Sequence, residues 1–183
     1  TRAFWIIGLM LAFNSFFITG FTFHVVSIFE SQGYLKSEAI AIFLPISIIA
    51  ICVSTLCNIL SDYIKHKIYV LIMIASGFVA SFGLLLLEKP VGVYLLISGL
   101  GVLGGLFAVV NAVTWPRYYG RTYLGAITGK VMSFLIIASA IAPTIFSYCF
   151  SKLGSYGYIS YINLGFLIIL GIGFIKLKNP NDE

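Results

Sequence analysis

At 183 residues the chain is 60% apolar and only 9% charged, with a mean hydropathy of +1.06. A water-soluble domain of this size needs a charged surface, so these values exclude one and indicate a membrane protein whose outer solvent is lipid. The formal charge of +5 does not signal nucleic acid, because the eleven Lys and Arg are scattered between apolar runs rather than gathered on one basic face.

Six runs approach the roughly 20 residues that a helix needs to cross about 30 Å of hydrocarbon. They cover residues 4–29, 40–60, 68–87, 91–113, 125–149 and 158–175. The expected fold class is therefore an all-α membrane protein, a single six-helix transmembrane bundle over residues 1–183 with the lipid bilayer as its surroundings. The breaks ESQGYLKSE, SDYIKHK, LEKP, WPRYYGRTYLG and SKLGSYG each carry charge, Pro or Gly. TRAFW runs directly into a hydrophobic stretch too long for a signal h-region, so no cleavable signal is expected. The absence of an initiator methionine makes a fragment or a processed product the expectation.

The first run contains Asn14, Ser15, Thr19, Thr22 and His24. Ser15, Thr19 and Thr22 fall on one helical stripe. Such hydroxyls either bond to carbonyls one turn back or to a neighbouring helix, or they face a cavity, and Asn14 and Thr19 are candidate solute contacts on the second reading. His24 lies a few residues from the far end of its helix, where it is an interfacial polar group, a proton site or a gate residue.

The second run carries Ser47, Ser54, Thr55 and Asn58, with Asn58 a candidate solute contact and Pro45 a candidate kink and gate. Cys52, Cys57 and Cys149 sit in apolar runs without metal-ligand spacing and read as small packing residues; no metal or cofactor is expected. The third run offers only Ser76 and Ser81 and the sixth only Ser160 and Asn163, which predicts that these two helices are peripheral.

GLGVLGG in the fourth run pairs Gly101 with Gly105 in a G-x-x-x-G spacing, expected to seat another helix of the same bundle. Asn111, later in this run, is a further candidate solute contact. The fifth run holds Thr128, Lys130, Ser133, Ser139 and Thr144, with Pro143 as a second candidate bending point.

Lys130 is the sharpest feature of the fifth run. A charge at the bilayer centre costs roughly 2.5–3.5 kcal/mol on insertion scales. Six or seven residues beyond Tyr123 or Leu124 put it about 9–10 Å along the helix. At that depth it either snorkels to the headgroups as an anchor, or faces a cavity and supplies countercharge to an anion, with Ser133 one turn deeper.

All eleven tyrosines fall within or beside a connection, as an amphipathic ring at the headgroup level should. Arg2, Lys65, Lys67, Arg117, Arg121, Lys130, Lys176 and Lys178 assign to one side and Lys36, Lys89 and Lys152 to the other. The positive-inside rule then puts both termini in the cytoplasm, with the cell (inner) membrane as the location.

TFHVVSIFESQG, NILSDYIKHK and above all WPRYYGRTYLGAITGK resemble the C-terminal half of bacterial major facilitator superfamily transporters, over essentially the whole chain. The last segment is similar to an aromatic-rich PxYxGRxxLGxIxG run, matched by Arg117, Gly120, Arg121 and Gly125. In the loop after the second span Asp62 and Lys67 match, whereas Asn58, Tyr63 and Lys65 depart from the family's Gly, Arg and Gly. Thr128 and Lys130 also stand where relatives often have Arg and an apolar residue.

The resemblance implies half of a twelve-span fold, built as a 3+3 inverted repeat, in which spans one, two, four and five line the cavity. It implies the C-terminal half of a secondary active transporter that moves a small solute, with an organic anion as the candidate class, by alternating access. The implied partners are the missing N-terminal six-helix half or a second copy, the solute and a coupled ion. The alternative is an autonomous six-helix protein acting as a homodimeric half-transporter, channel or scaffold. An enzyme is not expected: no acid lies within a span, His24 and His66 assign to opposite faces, and neither H-E-x-x-H nor G-x-S-x-G occurs.

Overall fold

The structure, a computed structural model, describes residues 1–176. Lys178, used above for orientation, lies outside the described residues. Within them every regular element is an α-helix: α1 (Arg2–Glu30), α2 (Lys36–Ala41), α3 (Phe43–Leu60), α4 (His66–Leu85), α5 (Pro90–Tyr119), α6 (Leu124–Leu153) and α7 (Gly157–Ile175). With α2 and α3 counted as one unit, six helical units are long and apolar enough to cross a membrane. The chain is an all-α, multi-pass membrane protein.

Each expected run lies almost wholly in one such unit, and the differences have local causes. Pro45 occupies the first turn of α3 rather than the middle of a long helix. Lacking an N–H, it cannot bond the Ala41 carbonyl, and the helix is interrupted at Ile42 between α2 and α3. Pro143 and Pro116, by contrast, lie inside α6 and α5 without breaking them. The connection expected over WPRYYGRTYLG shrinks to residues 120–123, because α5 continues through Pro116 to Tyr119. It stops at Gly120, whose φ of +68° is a conformation that residues with a Cβ rarely adopt.

Packing follows a simple order. The main pairs are α1 with α6, α5 with both α3 and α4, and α4 with α7, while α1 also touches α5. Gly101 and Gly105 face α3, where an added Cβ would lie 2.7 Å from Ile49 Cβ and 2.7 Å from the Ala50 carbonyl oxygen. Their spacing therefore serves packing within the bundle, as the sequence indicates. Phe17, Phe21, Phe146, Met73 and Trp115 are among the large side chains at the centre of the core.

The third span departs from expectation. Rather than peripheral, α4 is among the most enclosed helices, with 56% of its membrane-length window buried against 11% for each of the second and fifth spans. It has few polar residues because it is sandwiched between α5 and α7, and its Ser76 and Ser81 hydroxyls are consumed by the Met73 and Gly77 carbonyls at 2.9 and 2.8 Å.

Candidate functional site

The two least enclosed spans, α3 and α6, flank the bundle, with α1 and α5 between them in the order α6, α1, α5, α3. Along α6, Lys130, Ser133, Ile137, Ala140, Thr144, Ser147 and Ser151 are all exposed. At about 100° per residue they fall within an arc of about 100°. The opposite face, with Val131, Leu135, Ala142 and Phe146, is buried. On α3 a similar stripe joins Ser47, Ser54 and Asn58, of which Ser47 and Asn58 are exposed.

Most stripe hydroxyls bond back to their own helix, Ser133 to the Gly129 carbonyl at 3.0 Å and Ser47 to that of Phe43 at 2.8 Å. Asn58 Nδ2 donates to the Ser54 carbonyl at 2.8 Å. Each retains acceptor capacity toward whatever covers the face. Lys130 is exposed, and no acid of the described residues pairs with it.

The other expected contacts are distributed differently. Thr19 is half-buried and meets Ser139 of α6 at 3.2 Å between hydroxyl oxygens, a bond to a neighbouring helix. Asn111 is half-buried, its Oδ1 accepting from Trp115 Nε1 at 3.4 Å. Asn14 is buried inside the bundle, away from the open face, and its Oδ1 has no hydrogen-bond partner among the described residues.

At the basic end the two motif segments meet. Arg117 Nη1 donates to the Ser61 carbonyl at 3.0 Å, tying the end of α5 to the end of α3, while the neighbouring Asp62 and Arg121 are exposed. Lys67 lies over the Phe174 ring at 5.6 Å, joining α4 to α7. Gly125 stands in the open first turn of α6.

Sequence reasoning gave His66 no role here, yet it is buried with its Nε2 2.6 Å from Thr114 Oγ1. The Thr114 proton goes to the Val110 carbonyl, so Nε2–H is the donor to the threonine. His66 Nδ1 is left without a partner among the described residues.

At the opposite end His24 Nε2 lies 3.1 Å from the Pro143 carbonyl, and the ring stacks on Phe146 with an interplanar angle of 13°. Tyr156, just before α7, reaches both His24 Nδ1 at 3.4 Å and Ser27 Oγ at 2.9 Å. Tyr156, Ser27, Ser147 and Ser151 were not singled out in the sequence. The α6 residues had a signal, since Thr144, Ser147, Tyr148 and Ser151 repeat at i, i+3, i+4, i+7. The link from Tyr156 to α1 spans 129 positions to Ser27 and had none.

Fold and site together define a class: a helical multi-pass membrane protein whose open α6 face begins at a lysine and ends in hydroxyls. Comparison with protein-family models, with curated proteins and with solved structures gives no match.

Proposed function

We propose that the chain is the C-terminal six-helix half of a secondary transporter of the major facilitator type, moving a small organic anion by alternating access. The observation that carries this reading is the exposed stripe of α6. From Lys130 to Ser151 it rises through 21 residue steps, or about 32 Å at 1.5 Å each, close to the thickness of the hydrocarbon layer. A lipid-facing helix gains nothing from hydroxyls at that spacing, whereas a helix lining a path does.

Two of the main helix pairs fit the inverted repeat, whereas the pairing of α5 with α4 has only a slight counterpart in α1 with α7. Exchanging the first three spans with the last three turns the pairing of α1 with α6 into that of α5 with α3, and both pairs are present. In this reading the exposed flanks α3 and α6 are covered by the missing six-helix half or by a second copy. The basic end is cytoplasmic, and the protein sits in the cell membrane and catalyses no covalent chemistry.

Lys130 supplies the countercharge to a carboxylate and Ser133 a hydrogen bond beside it. The test is binding of labelled short-chain mono- and dicarboxylates to the protein in lipid nanodiscs, comparing wild type with Lys130→Gln and Lys130→Arg. Binding lost with Gln and partly kept with Arg is the expected outcome. Wild-type binding by Lys130→Gln returns the residue to the role of membrane anchor.

A further inference from the structure

At the end of the bundle opposite the basic one, two cavities approach the same polar chain from different sides. One, about 550 Å³, is lined by His24 with Thr144, Ser147, Tyr148 and Ser151 of α6. The other, about 290 Å³, is lined by Tyr156 with Ser31 and Glu88. Between them run Ser27 Oγ, Tyr156 Oη at 2.9 Å, His24 Nδ1 a further 3.4 Å on, and, across the ring, Nε2 at 3.1 Å from the Pro143 carbonyl.

We infer that His24 is a proton-binding site served by Tyr156 and Ser27, and that it carries the coupling ion of the transporter half. The coupling role rests on the function proposed above; the proton site itself does not.

The hydrogen bonds fix the chemistry. A carbonyl only accepts, so Nε2 carries a hydrogen in both states of the ring. Tyr156 Oη donates its hydrogen to Ser27 Oγ, so toward His24 the phenol presents an oxygen lone pair, which a neutral ring meets with the lone pair of Nδ1. When a proton from solution binds, an N–H bond forms at Nδ1 and donates to Tyr156 Oη, while the tyrosine keeps its own O–H on Ser27 Oγ. One proton is gained, one positive charge appears, and no hydroxyl hydrogen has to turn.

The structural consequence falls on α6. Pro143 has no N–H, so the Ser139 carbonyl lacks its usual helical donor, and α6 is weakest between these two residues. α1 grips it on both sides of that point, through Thr19 on Ser139 and His24 on Pro143. A charged ring turns the second grip into a charge-assisted bond, which is shorter and stronger. Proton binding therefore fastens α1 to α6 at this end of the bundle.

The titratable groups lining the two cavities around the chain are Tyr148 from α6, Tyr156 just before α7, Tyr158 and Tyr161 of α7, and Glu88 from the turn between α4 and α5. Among the described residues no carboxylate or ammonium hydrogen-bonds to the His24 ring, whose partners are the Tyr156 hydroxyl and the Pro143 carbonyl.

The experiment uses the full chain in nanodiscs with ¹⁵N-labelled histidine, followed between about pH 5 and pH 8. There are only two histidines, and His24→Gln identifies the resonances of the first. The expected neutral form is the Nε2–H tautomer, and the proton-bound form carries hydrogen on both ring nitrogens. Tyr156→Phe weakens proton binding roughly threefold or more, because it removes the oxygen that accepts from the charged ring. Ser27→Ala weakens it less. Lys130→Gln leaves the curve in place, so the solute reading and the proton site fail independently. An Nδ1–H tautomer, a ring that keeps one protonation state throughout, or an unchanged curve in Tyr156→Phe overturns the inference.

Discussion

Two adjacent glycines of α5 offer a sharp test of how the bundle is held together. At Gly105 an added Cβ lies 2.7 Å from the Ala50 carbonyl oxygen and 2.9 Å from Val53 Cβ, both on α3. The carbonyl belongs to helix backbone, so it retreats only if α3 as a whole moves. At Gly104 the same atom meets nothing within 4 Å. Both replacements by Ala gain up to about 1 kcal/mol of helix propensity. Only Gly105→Ala adds the overpacking penalty of about 1–3 kcal/mol. The expected difference between the neighbours is therefore about 1–3 kcal/mol, with Gly104→Ala neutral or stabilising. The assay is reversible unfolding in mixed detergent in a Trp5→Phe background, so that fluorescence comes from Trp115, which is buried on α5. Equal stabilities for the two variants would refute the claim that α3 and α5 approach through this glycine face.

Thr114→Val removes the partner of His66 and leaves a second ring nitrogen buried without a bond, with an expected loss of about 1–3 kcal/mol in the same assay; an unchanged midpoint would mean the histidine finds another partner. Pro143→Ala restores an N–H for the Ser139 carbonyl and stabilises α6, yet keeps the His24 bond because the acceptor is backbone. Its ¹⁵N spectrum should retain the wild-type His24 tautomer, and a changed tautomer would show that the proline ring, not the carbonyl, positions the imidazole. Finally, Ser37→Cys at the first turn of α2 should react with an impermeant thiol reagent from outside the cell membrane. Reaction from the cytoplasmic side alone would invert the proposed orientation.

The sequence by itself determined the class and the number of spans, because both depend on local quantities. Composition decides the solvent, and run length decides whether a helix can cross it, so all six units lie where the apolar runs lie. The glycine pair on α5 was legible for the same reason, since a four-residue period leaves a smooth face whatever helix it meets. Tertiary structure alone decided which helix meets which. The enclosed position of α4 contradicts its polar count, because a helix wrapped by protein and one wrapped by lipid are equally apolar in sequence. The same limit hid the chain from Ser27 through Tyr156 to His24, whose members come from opposite ends of the sequence. It likewise hid the burial of Asn14, which shares its helix with residues that reach the surface. Side chains within a turn of one another follow from helical period, but contacts across more than a hundred residues exist only once the helices have chosen their neighbours.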